Sequence, residues 1–146
     1  MTYHHSVFVS ALDETRLFVE IRKAESRAPL IPVLLLDGIG CDGFAWKYLA
    51  EGFARERDVY HLHYRGHGRS GAPVDGDKID IPSHAQDALS VLDHFRLPNA
   101  VLVGHSMGTQ VALEVFKQRP EAVSGMALLC GSHGNLTSTV RGTDLL

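Results

Sequence analysis

Apolar positions along this chain alternate between the two-residue period of strands and the longer period of helices. Ser6-Val7-Phe8-Val9-Ser10-Ala11 and Arg16-Leu17-Phe18-Val19-Glu20-Ile21 each read as strand, and the turn-forming Leu12-Asp13-Glu14-Thr15 between them predicts a hairpin. Lys23 to Pro29 is a charged loop. Ile31-Pro32-Val33-Leu34-Leu35-Leu36 is apolar throughout, as expected of a strand covered on both faces. From Gly43 to Arg57 the apolar Phe44, Tyr48, Leu49 and Phe53 follow a helical period. Val59 to Leu62 reads as a fourth strand. A helix opens at Ile81-Pro82, lines Ala85, Ala88, Leu89, Leu92 and Phe95 on one face, and stops at Leu97-Pro98-Asn99. Ala100 to Val103 is the fifth strand. The helix after Ser106 carries Val111, Ala112, Val115 and Phe116 and ends before Pro120; Val123 to Cys130 is the sixth strand. A hairpin followed by alternating helix and strand predicts one α/β domain over residues 1–146, with a mostly parallel sheet and helices on both faces. Ligands of such a sheet bind beyond the carboxyl ends of its strands.

The fifth strand runs into Gly104-His105-Ser106-Met107-Gly108, a G-x-S-x-G between strand and helix. That is the pattern of a nucleophile elbow, which lifts a serine on a sharp turn at the sheet edge. The turn strains the serine backbone and leaves no room for a Cβ two residues before or after it. Gly104 and Gly108 stand at those positions. The following helix directs its positive end toward the place where an oxyanion forms.

Composition narrows the chemistry. With 146 residues and 45% hydrophobic content the chain can bury a core. A net charge of −3 without a run of Lys or Arg gives no footprint for nucleic acid or an anionic membrane. No apolar run is long enough to span a bilayer. The N-terminus lacks the basic and apolar regions of a signal peptide, so a cytoplasmic protein is expected. Cys41 and Cys130 lack metal-type spacing and are expected as free thiols. The 9 histidines are scattered and expected mostly at the surface. No cofactor or metal is implied.

Three loops at one sheet edge, taken together, resemble the α/β-hydrolase family. Gly104-His105-Ser106-Met107-Gly108 is similar to its elbow, and Arg65-Gly66-His67-Gly68-Arg69-Ser70 to the R-G-x-G-x-S loop after its fourth strand. Asp37-Gly38-Ile39-Gly40 stands where members carry His-Gly-x-x after the third strand. The resemblance implies a serine hydrolase of an ester or similar acyl substrate, with Ser106 as nucleophile. The backbone N–H groups of Met107 and Ile39 would form its oxyanion hole. His105 is expected to point away from the active serine. Two positions depart from the pattern. Asp37 replaces a histidine and is expected to brace the loop through nearby backbone N–H groups. His63 replaces an acidic residue and is expected to pack the loop.

The same resemblance implies that the triad acid and histidine come after the sixth strand. The residues after Cys130 are fewer than the ~30 of one further βαβ unit, so the chain reads as the N-terminal portion of the fold. Downstream of Ser106 the histidine available as base is His133, and the carboxylates are Glu114, Glu121 and Asp144. The sixth strand is then expected to expose an apolar edge, open to a second copy or a complementing chain. Two alternatives share the sequence features. One is a non-catalytic ligand-binding module of the same fold. The other is a same-fold hydroxynitrile lyase, C–C bond hydrolase or cofactor-free haloperoxidase.

Overall fold

A computed structural model describes residues 4–76 and 78–132 of the chain. The opening stretches form β1 (His4–Ser10) and β2 (Arg16–Arg22), paired antiparallel with Val7 opposite Val19. They are followed by β3 (Leu30–Leu36), β4 (Arg57–Leu62), β5 (Ala100–His105) and β6 (Val123–Leu129). The sheet order is β1-β2-β4-β3-β5-β6. β4, β3, β5 and β6 run parallel, while β2 meets β4 antiparallel.

Side chains of a strand alternate between faces, and here each face has its own core. Val33, Leu35, Val59 and Val103 pack with Trp46, Ala50 and Ala54 of a 3₁₀ turn (Phe44–Trp46) and helix α1 (Lys47–Ala54). Leu34, Leu36, Tyr60, Leu62 and Leu102 pack with α2 (Ile81–His94) and α3 (Met107–Gln118). Asp80 caps α2, its carboxylate accepting the Ser83 N–H at 2.8 Å, with Pro82 in the first turn.

The helical stripe between Gly43 and Arg57 faces the other way from its apolar pattern. Trp46, Ala50 and Ala54 are buried, while Phe44, Tyr48 and Leu49 are exposed. The small alanines let α1 approach the sheet closely, so bulk was a poor guide to burial. Phe116 is likewise exposed beside the buried Val111, Ala112 and Val115. A short 3₁₀ turn (Pro120–Ala122) precedes β6. Among the described residues β6 is an edge strand, with Met126, Leu128 and Leu129 exposed. None of the described helices is long and apolar enough to cross a membrane.

Candidate active site

β5 ends at His105 and α3 begins at Met107, which leaves Ser106 alone to turn the chain. Its backbone sits at φ 53° and ψ −116°, a conformation that costs a non-glycine residue about 1–3 kcal/mol. Three hydrogen bonds hold it there. The Ser106 N–H donates to the Leu129 carbonyl (2.9 Å), and its carbonyl accepts from Thr109 N–H (3.1 Å) and Thr109 Oγ1 (2.8 Å). The flanking glycines are required by space. A Cβ on Gly104 would lie 2.3 Å from the Gly108 carbonyl oxygen, and one on Gly108 2.1 Å from that of Leu36.

The loop after β3 closes on the elbow from the other side. A Cβ on Gly38 would stand 3.1 Å from Cβ of Ser106. Ile39 and Ser106 line a cleft of about 460 Å³ shared with Ile81, Met107, Cys130 and Ser132. Met107 is the first residue of α3, so its N–H belongs to the turn that lacks intrahelical acceptors. The His105 ring is edge-on to Trp46 with ring centroids 6.3 Å apart, and its Nδ1 would lie 3.3 Å from a Cβ on Gly38.

Asp37, at the start of that loop, is buried, and its bonds differ from the backbone brace expected. The carboxylate accepts from Trp46 Nε1–H (2.6 Å) and from His61 Nε2–H (2.7 Å). His61 Nδ1–H in turn meets Glu20 Oε2 at 3.2 Å. Burial works against a charged His61, but Asp37 and Glu20 outweigh it and push its pKa up to about 9. The register accounts for the contact: Glu20 stands directly opposite His61 across β2 and β4. His63, two residues along the same face, has its pKa lowered by burial and then by the His61 charge.

Glu20, His61 and His63 bring donor atoms within 4.8 Å of one another, a spacing that suits a metal ion. Hydrogen bonds link the same atoms. Both His61 nitrogens donate to carboxylates, and His63 Nδ1 accepts the Arg69 N–H at 3.2 Å, which leaves its proton on Nε2. With these protons in place neither ring offers a free lone pair toward the cluster.

A family model for the alpha/beta hydrolase fold matches residues 31–144. The chain belongs to the alpha/beta hydrolase fold family. Among its relatives is the dihydrolipoyllysine-residue acetyltransferase component of the acetoin cleaving system of Pseudomonas putida, 33% identical over 101 residues. That alignment covers 69% of this chain and 27% of the relative. An (E)-2-((N-methylformamido)methylene)succinate hydrolase of Acinetobacter baylyi is 34% identical over 101 residues, 68% of this chain and 37% of that protein. Est816, an N-acyl homoserine lactone degrading enzyme, superposes with a TM-score of 0.75 at 29% identity, covering 86% of this chain and 45% of Est816. The chain thus spans less than half the length of each.

In this α/β-hydrolase fold the Arg65–Ser70 loop is a structural staple. The Arg65 guanidinium, buried, forks onto Asp87 of α2 (Nε 2.8 Å and Nη2 2.6 Å) and reaches Asp13 in the β1–β2 turn at 2.8 Å. Ser70 Oγ donates to the His63 carbonyl and accepts the Phe18 N–H. His63 packs the loop, its ring edge-on to Phe18. The sequence left these partners unseen, because Asp13, Asp87 and Glu20 gain meaning only when distant segments meet. A carboxylate beside the Ala85–Ala88 stripe was the one local signal. The histidines are less superficial than their scatter suggests: His61 and His84 are buried, as is His63 in its loop-packing place. Cys41 and Cys130 are free thiols. Glu114, partly buried, pairs with Lys117, and Glu121 is exposed. His133 and Asp144 lie outside the described residues.

Proposed function

We propose that the chain carries the nucleophile and oxyanion hole of a serine hydrolase acting on a carboxylic ester or similar acyl substrate. The observation that carries this reading is Ser106 itself, a non-glycine residue held at φ 53° where a buried strand meets a helix and opening on the cleft. Nothing in the core gains from that strain, whereas an exposed hydroxyl at a sheet edge does. Ser106 Oγ attacks the substrate carbonyl carbon and gives up its proton to a base. The Met107 and Ile39 N–H groups take the charge forming on oxygen, each such donor being worth about 3–4 kcal/mol. The leaving alcohol takes a proton, and water then cleaves the acyl-serine ester. The similarity to a hydrolase and to a lactone-degrading enzyme supports the substrate class.

The test is covalent labelling of the full chain by a fluorophosphonate, followed by peptide mass spectrometry. Labelling at Ser106 that disappears in Ser106→Ala is expected. A wild-type chain that stays unlabelled would overturn the proposal. His133→Ala in the same assay tests His133 as the base.

A further inference from the structure

We infer that His61, clamped between Asp37 and Glu20, is a positioning residue that holds the Gly38–Gly40 loop against Ser106. This deepens the proposed function and rests on it for the meaning of the loop, though not for the contacts themselves.

The loop has little of its own to fix it. Its first residue, Asp37, is the last anchor before the chain leaves the core, and Ile39 is exposed. Among the described residues, the loop's own backbone bond runs from Cys41 N–H to the Gly38 carbonyl, at 3.2 Å. The side chain of Asp37 therefore sets where Gly38 lies, and Trp46 and His61 hold that side chain. Trp46 supplies one neutral N–H. The ionic partner is His61, whose other nitrogen is held by Glu20 so that both ring N–H groups donate at once. Gly43 completes the arrangement. It sits at φ 94°, and a Cβ there would fall 2.5 Å from Cε1 of His61. The segment carrying Trp46 is thus shaped around the imidazole.

The groups facing His61 are few enough to name. Glu20 comes from β2, Asp37 from the end of β3, and His63 from its own strand, while Arg22 and Lys47 border the small pocket of about 40 Å³ outside it. With the proton on, Asp37 has an ionic partner in a site of low polarity, where such a pair is strong. Once that proton is lost, a carboxylate faces a neutral ring. Asp37 then loosens, and Gly38 and Ile39 move off Ser106. The raised pKa of His61 keeps the clamp closed through neutral pH and places its release near pH 9.

Two reporters stand beside the clamp. Trp46 is the sole tryptophan, and Cys41 touches Gly38 through its backbone. The experiment compares wild type, His61→Gln and Glu20→Gln as full chains, with circular dichroism to check folding. Glutamine at 61 keeps an N–H for Asp37 but has no charge. Three quantities are read: Trp46 emission from pH 7 to 10, the rate of Cys41 alkylation by iodoacetamide at pH 7.5, and the rate of Ser106 labelling by fluorophosphonate.

We expect an emission transition near pH 9 in wild type, moved to lower pH in Glu20→Gln and absent in His61→Gln. Cys41 alkylation, resolved from Cys130 by peptide mass, should rise roughly tenfold in a folded His61→Gln, and Ser106 labelling should fall by a similar factor, both about one decade as for other outer-layer partners of a site. An emission midpoint that Glu20→Gln does not move, or a Cys41 rate unchanged in His61→Gln, overturns the inference. If wild-type Ser106 never labels while Trp46 and Cys41 behave as expected, the clamp stands and the hydrolase reading fails.

Discussion

Gly108 lies under Leu36 so closely that a single added methyl would reach within 2.1 Å of the Leu36 carbonyl oxygen. This contact joins the first turn of α3 to the end of β3, and so brings the two loops of the candidate site together. Gly108→Ala should therefore push α3 off the sheet, at a cost of about 2–3 kcal/mol or more. Urea denaturation checks this, and a variant within 0.5 kcal/mol of wild type (roughly the scatter of ordinary surface changes) would refute it.

Ser106 carries strain that glycine does not feel. Ser106→Gly should stabilise the fold by about 1 kcal/mol while abolishing fluorophosphonate labelling. Thermal melts run beside the labelling assay separate the two effects. A loss of stability would mean that the serine side chain makes a contact worth more than the strain.

The Arg65 fork is buried against Asp87, so removing the cation leaves a carboxylate without its partner. Arg65→Met should cost about 3–5 kcal/mol. Adding Asp87→Asn to Arg65→Met should return part of that loss, since the stranded charge is then gone. Equal destabilisation in the single and double variants, by chemical denaturation, would contradict a charge-based explanation.

His84, buried in α2 beside Tyr64, gives the fold an acid-sensitive element. Burial, then the positive charges of His67 and Arg65, lower its pKa to about 4 from an ordinary 6.5. Below pH 6.5 the unfolded chain takes up a proton that the folded chain refuses. The stability due to neutral His84 is therefore complete above pH 6.5 and drains away as the pH falls toward 4, by up to ~3 kcal/mol. His84→Gln should flatten that part of the stability profile. An unchanged slope between pH 6.5 and 4 would contradict this assignment, since Asp13 and Asp80, both held below their usual carboxylate range, give up their contribution only at lower pH.

The exposed face of β6 should make this chain associate. Met126 and Leu128 stand 37% and 44% exposed on a strand that has one neighbour among the described residues. Concentration-dependent elution in gel filtration is expected, weakened by Leu128→Lys, which places a charge on the edge. A sharp monomer peak at all concentrations would rule this out.

Neighbours along the chain are enough to specify the elements and the elbow. Period-two and apolar runs produce β1 to β6 within a residue or two, and G-x-S-x-G places a strained Ser106 between strand and helix, because these features depend on neighbours in the chain. What surrounds them depends on segments that meet through folding. The 3₁₀ turn and helix α1 that follows it turned Trp46, Ala50 and Ala54 inward and left Phe44 and Tyr48 outside, since close approach to the sheet outweighed side-chain bulk. Asp37 found its partners in Trp46 and His61, and Arg65 in Asp13 and Asp87, through strand register and helix packing across long sequence separations. A carboxylate in a sequence is a charge awaiting a partner, and the fold alone decides which cation it meets and how far from water.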